Sequence, residues 1–407
     1  MQITRSDRMA GVSYAIRGPV LDMAYELESQ GHQVLKLNIG NPGVFGFDTD
    51  ESLLKAMREN LLGLEGGQSY SHTKGVSDVR EKIAEYHIKK GAMNVSASDI
   101  FIGNGASELI TASMQALLNK GDEVLVPAPD YPLWTAAVNF CGAKAVHYIC
   151  REEHDWNPDL ADIEAKISKK TRAIVVINPN NPTGANYPPE ILKEIVALAQ
   201  RHNLLIFSDE IYDRVLYDGE VHHSIAEFAG MHPCFTFNGI SKTHLACGFR
   251  GGWLVASGDK TRLYDYLDGL TTLLSMRLCS NVPAQFACAA ALEHDSQIKK
   301  HIAVGGRLYE QNTTAAKLLN GIDGITCQKA KGALYLFPKI DIKKFNITND
   351  QQFVLDFLVA KKVLLVNGTG FNWIAPDHFR VVFLPEVKVL EDAVGRLSEF
   401  LSTYRQK

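Results

Sequence analysis

Between about residues 100 and 260, short apolar runs alternate with stretches of helical periodicity. The runs 100–102, 123–127, 145–148, 173–177, 204–208 and 235–237 read as strands. Strands alternating with helices predict an α/β fold, a mostly parallel sheet covered by helices. The polar motifs fall just past the ends of these runs, where open α/β sheets place their ligands. From about 305 onward the pattern changes. Runs at 334–337, 363–366 and 379–384 stand between helical stretches, the last near 387–404, and predict a smaller α+β domain. The N-terminal segment is expected to fold back onto it. The implied boundaries are 1–48 for that segment, 49–304 for a large domain and 305–407 for a small one.

Composition narrows the function without choosing it. A chain of 407 residues exceeds one ordinary core, and 46% hydrophobic with 22% charged residues describes a folded protein. A net charge of -4 with scattered lysines and arginines gives no reason to expect nucleic acid or membrane as partners. No apolar stretch approaches membrane-spanning length, and the N-terminus lacks the apolar core of a signal peptide. Seven dispersed cysteines without a CxxC suggest free thiols in a reducing cytosol. His222, His223 and His301 have no neighbours at metal-ligand spacing, so no metal is expected.

The chemistry concentrates in a few motifs. Gly103-Asn104-Gly105-Ala106-Ser107-Glu108 leads from a strand into a helix whose exposed N–H groups can bind phosphate. It is not a dinucleotide fingerprint, since Glu108 occupies the third glycine position, and a plain tight turn explains it equally. Tyr131 can stack on a planar ring or simply pack. The turn around Asn181 can donate an amide to a ring oxygen. Asp209 closes a strongly apolar strand, where a carboxylate needs a partner; a protonated pyridine nitrogen would serve, and so would a helix N-cap role. Tyr212 stands three residues on. Lys242 follows the run at 235–237, beside Ser241, and Arg250 comes eight residues later as a fork for a dianion. A lysine amine, an aspartate, a tyrosine, an asparagine and an arginine are the groups that hold pyridoxal phosphate, the lysine as a Schiff base.

In order and spacing these motifs resemble the fold-type I, class I/II aminotransferase family over nearly the whole chain, from Leu37-Asn38-Ile39-Gly40-Asn41-Pro42 to Arg380-Val381-Val382-Phe383-Leu384-Pro385. Tyr14-Ala15-Ile16-Arg17-Gly18-Pro19, the run Pro127–Val138 and Met276–Gln285 resemble the bacterial glutamate–pyruvate (alanine) transaminases within it. The resemblance implies a seven-stranded large domain and pyridoxal 5'-phosphate carried by Lys242. Asp209 would pair with the ring nitrogen, Asn181 and Tyr212 with the phenolate oxygen, and Tyr131 would stack. Ala106, Ser107, Ser241 and Arg250 would bind phosphate, with Tyr70 reaching across a homodimer. Arg380 would bind the substrate α-carboxylate with Asn181 and the Gly40 backbone, among substrate residues that include Tyr14 and Arg17. Arg277, from the same or a neighbouring subunit, is a candidate for the second carboxylate of glutamate, or else a structural surface arginine. The implied substrates are amino acids and 2-oxo acids, with L-alanine and 2-oxoglutarate as the expected pair. Aspartate or aromatic preference, or a C–S lyase using the same ring chemistry, are the alternatives. Two positions depart from the family pattern: Gly239 where a serine is common, and Gly251 where an aliphatic residue is common.

Overall fold

The computed structural model describes residues 3–9, 11–12, 18–63, 68–294 and 296–407. Ahead of the main sheet, the helix Pro19–Ser29 opens on a proline, whose missing N–H costs nothing in a first turn. The short strand β1 (Leu35–Lys36) follows it.

The central sheet contains β2 (Ile100–Asn104), β3 (Glu123–Ala128), β4 (Lys144–Arg151), β5 (Asn157–Pro158), β6 (Thr171–Ile177), β7 (Leu205–Asp209), β8 (Cys234–Gly239) and β9 (Gly251–Ser257). Their order is β2-β9-β8-β7-β6-β3-β4-β5. The middle strands run parallel, while β9 is antiparallel to both its neighbours and β5 to β4. The expected seven strands are therefore joined by an eighth of two residues at one edge. Parallel strands buried on both faces must be apolar throughout, as β6 is. Its Ile174 and Val176 enter one core with Leu192 and Ile195 of the helix Pro189–His202. Its Ala173, Val175 and Ile177 enter the other with Leu109 and Ile110 of the helix Ala106–Leu117. Alternation of side chains across the strand produces this division.

The strand β9 was not among the expected runs. It opens on Gly251-Gly252, directly after Arg250, and all seven residues from Gly251 to Ser257 are buried. The glycines explain the close approach. Gly239 pairs with Gly252, and a Cβ on Gly239 would lie 2.7 Å from the Gly251 carbonyl oxygen. A Cβ on Gly251 would lie 2.6 Å from Cys288 Sγ. The two departures from the family pattern are thus a matched packing solution.

The C-terminal part carries β10 (Ile325–Thr326), β11 (Tyr335–Leu336), β12 (Lys339–Ile340), β13 (Val363–Leu364), β14 (Val366–Asn367) and β15 (Phe379–Val382), with a final helix Val387–Thr403. The expected strand 363–366 is broken in two, and the expected 379–384 ends two residues early. A three-stranded sheet runs β11-β15-β14. β1 pairs in parallel with β13, and Val20, Leu21 and Ala24 of the first helix join the same core as Phe353 and Phe357. That pairing carries residues 38–41 toward the carboxyl ends of the central strands.

Candidate active site

Five turns converge on one cavity of about 470 Å³, within the range of small-molecule sites, roughly 300–1,000 Å³. It is lined by Gly40, Ala106, Ser107, Tyr131, Asn181, Asp209, Tyr212, Ser241, Lys242, Arg250 and Arg380. Most come from the carboxyl ends of the central strands or the turns that follow them; Arg250 directly precedes β9, Arg380 lies on β15, and Gly40 belongs to the N-terminal segment.

Asp209 is the last residue of β7, and its side chain is buried. Trp134 Nε1 donates to its Oδ2 at 3.1 Å, and the Ile211 N–H contacts Oδ1 at 3.4 Å. Burial outweighs these neutral donors and raises its pKa to about 6. A carboxylate so placed is short of a cation, and a protonated ring nitrogen in the cavity would supply one. The helix N-cap alternative does not hold, because no helix begins at Asp209.

Lys242 lies in the short helix Ile240–Thr243, directly after β8. Its Nζ donates to the Gly40 carbonyl, so the amine reaches across the cavity to the N-terminal segment. Tyr212 and Tyr335 hydroxyls are 2.8 Å apart. Burial first, and the adjacent Tyr335 second, push the Tyr212 phenol well above its ordinary pKa, so it stays a donor. Arg380, on β15, donates through Nη1 to Asn181 Oδ1 at 2.9 Å and through Nη2 to the Asn38 carbonyl. Its guanidinium lies 4.3 Å from the Tyr335 ring centre and 4.5 Å from that of Phe371. With its carbonyl taken by Arg380, Asn181 keeps an amide NH2 to offer.

The end of the cavity beside Arg250 is built on close backbone approach. Gly105 caps the helix Ala106–Leu117 at φ 82, a conformation glycine adopts freely. A Cβ there would overlap the Arg250 guanidinium. Arg250 itself sits at φ 62 and donates to the Cys247 and Asn104 carbonyls at 2.9 and 3.2 Å. The first-turn amides of that helix, the Ser107 and Ser241 hydroxyls and this guanidinium surround one end of the cavity. Glu108, at the position that excluded a dinucleotide motif, turns back to accept from the Asn104 N–H at 2.7 Å.

Two expected residues are not brought into this cavity. Arg277 Nε lies 3.0 Å from Glu108 Oε1, and its Nη2 donates to the Ile102 carbonyl at 2.9 Å. Within its own chain it ties Glu108 to the end of β2, under the glycine turn. Tyr70 is 80% exposed and points away from this chain's core. Tyr14 and Arg17 lie outside the described residues. Sequence reasoning missed Tyr335 and Trp134. Both stand in apolar runs that read as core; a lone hydroxyl in 334–337 was the only signal for the first.

A family model described as aminotransferase class I and II matches residues 32–397. Glutamate-pyruvate aminotransferase AlaA of Escherichia coli strain K12 is 54% identical over 404 residues, 99% of each chain. An alanine aminotransferase of Mycobacterium bovis is 47% identical, covering 99% of this chain and 93% of its own. A crystal structure of an aminotransferase from Escherichia coli superposes with a TM-score of 0.98 over 100% of both chains, at 54% identity. Alanine aminotransferase from Pyrococcus furiosus gives 0.92 at 38% identity, over 98% of this chain and 100% of that one.

Proposed function

The chain belongs to the class I and II aminotransferases, and from that premise we propose that it moves an amino group between L-alanine and 2-oxoglutarate, giving pyruvate and L-glutamate. The observation that carries the reading is one cavity holding a lysine amine, a desolvated aspartate and a buried arginine, on a chain whose relatives bear those activities in their names.

Pyridoxal 5'-phosphate, when bound, supplies an aldehyde to receive the amino group and a ring to take up the electron pair left at Cα. Asp209 would hold its ring nitrogen, Tyr131 would cover a face, and Asn181 and Tyr212 would donate to the phenolate oxygen. The amides of Ala106 and Ser107, with Ser241 and Arg250, would hold its phosphate. Arg380 clamps the substrate α-carboxylate as a planar fork. The stacked Tyr335 and Phe371 rings fix that fork, and the carboxylate also meets Asn181 and the Gly40 backbone. With the carboxylate fixed, Cα lies within reach of Lys242 Nζ, which accepts its proton and later returns one. The exchange is ping-pong: one 2-oxo acid leaves before the second enters.

Among the described residues lining the cavity, the cations are Lys242, Arg250 and Arg380, each already assigned. The side-chain carboxylate of glutamate is then left to a further cation, Arg17 or Arg277 of a second copy, with Tyr14 among the substrate residues. The enzyme is a homodimer in which Tyr70 of one copy reaches the phosphate of the other. Its seven free thiols suit the cytosol. No helix among the described residues is long and apolar enough to cross a membrane.

The test is an assay of the loaded enzyme with L-alanine and 2-oxoglutarate. Pyruvate and glutamate must appear in equal amounts. Ammonia release would point to a lyase, and stronger turnover of aspartate or tyrosine than of alanine would overturn the substrate assignment.

A further inference from the structure

His378 is fully buried, two residues before Arg380, and no step above uses it. Its ring is caged. Phe337 stacks on it at 4.9 Å and 18°, while Trp156 and Trp373 present themselves at 5.2 Å and 77° and 76°. Asp377 Oδ1 contacts Nδ1 at 2.7 Å, and Glu152 Oε2 lies 3.4 Å from Nε2. Three aromatic rings and two carboxylates make an environment for a cation. The other titratable groups facing the cluster are Lys339, 3.2 Å from Glu152 and 3.9 Å from Asp377, Glu153 near Lys339, and the buried Cys327 thiol near Glu152.

The cage joins two parts of the molecule. Glu152 and Trp156 belong to the segment that follows β4, whereas Phe337, Trp373, Asp377 and His378 belong to the C-terminal part. Asp155 and Trp156 both sit at positive φ, 56 and 59, a costly pair for non-glycine residues. A path of direct contacts leads from the cage to the substrate site. His378 stacks on Phe337, Phe337 meets Phe371 edge-on at 6.2 Å, and Phe371 lies under the Arg380 guanidinium. The Phe371 carbonyl also accepts from the Asp130 N–H at 2.9 Å, beside Tyr131. The His378 carbonyl accepts from the Gly368 N–H, and a Cβ on Gly368 would lie 2.6 Å from that oxygen.

We infer that His378 is a positioning residue for substrate: its caged ring fastens the strand carrying Arg380 to the segment after β4 and so sets where the substrate carboxylate binds. This rests on Arg380 being the carboxylate ligand. Burial opposes the histidinium, but Asp377 and Glu152 more than offset it and raise the pKa of His378 above its ordinary 6.5. The raised value means the fastening is complete below pH 6.5 and is lost as pH rises through the folded-state value.

The experiment has two arms on the loaded enzyme. Ring resonances of isotope-labelled histidine, assigned with His378→Gln, should show His378 titrating above the ordinary range, and lower in Glu152→Gln. Kinetics with pyruvate should show KM raised about threefold or more in His378→Gln at pH 6, with kcat little changed, the gap closing at alkaline pH. A neutral His378 at pH 6, or a KM gap that ignores pH, would overturn the inference. If His378→Gln fails to fold, Glu152→Gln must move the KM transition to lower pH along with the resonance. Arg380→Lys separates the two readings: an unchanged KM there, with His378 titrating as stated, sinks the carboxylate assignment and the link built on it, while the cage stands.

Discussion

Asp209 shows how far a single residue could be read and where the reading stopped. A carboxylate closing an apolar strand is legible as a functional group, because burying it without a partner is costly. Its Trp134 donor was not, since a tryptophan in the run Leu133–Phe140 reads as core and its N–H partner is 75 positions away. Tyr335 was hidden for the same reason. If Asp209 pairs with the cofactor's ring nitrogen as proposed, affinity for pyridoxal 5'-phosphate should rise as pH passes about 6 and the carboxyl ionises. Asp209→Asn should remove that component and weaken binding by about 1.5–3 kcal/mol, the worth of a charge-assisted hydrogen bond. Fluorescence titration of the wild type and variant across pH 5–8 decides; an identical pH dependence in both would refute the pairing. Tyr335→Phe keeps the ring under Arg380 but loses the hydroxyl to Tyr212, and should lower kcat more than it raises KM.

At the scale of elements, period and punctuation disclosed most of the sheet. The apolar runs matched β2, β3, β4, β6, β7 and β8 within a few residues, and the motifs fell at their carboxyl ends. β9 escaped because glycines chosen for close packing look identical to glycines chosen for a turn. Gly251→Val should therefore cost about 1–3 kcal/mol from overpacking against Cys288 and Ile240, measured by denaturant unfolding. Beneath the strand ends, Lys90 Nζ lies 2.7 Å from Asp213 and 3.9 Å from Glu210, both carboxylates buried. Burial works against Asp213 as an anion, yet the Lys90 charge holds it well below the ordinary carboxylate range. Lys90→Met should destabilise the fold by about 3–5 kcal/mol, because it strands buried charge. Asp213 contributes its stability above its ordinary 3.8, and that contribution is lost as pH falls through the depressed folded value. A variant no less stable than wild type at pH 7, yet still ionised at Asp213, would contradict this.

The whole molecule was least legible where separate parts meet. No local pattern announces that β1 pairs with β13, or that this pairing delivers Gly40 to Lys242 across 202 positions. Nor does one show that the segment of exposed Tyr70 meets that of Met276 and Leu278, exposed at 79% and 51%, through the Thr73 hydroxyl donating to the Leu278 carbonyl. If that face is shared between copies, light scattering should give twice the 45.0 kDa chain mass, and Tyr70→Phe should loosen the cofactor without changing that mass. A monomer with full activity would remove the interface from the site. The most direct measurement concerns the amine itself. Borohydride reduction of the loaded protein, followed by peptide mass mapping, should fix the cofactor covalently on Lys242; an adduct on any other lysine, or none, would contradict the assignment on which the chemistry stands.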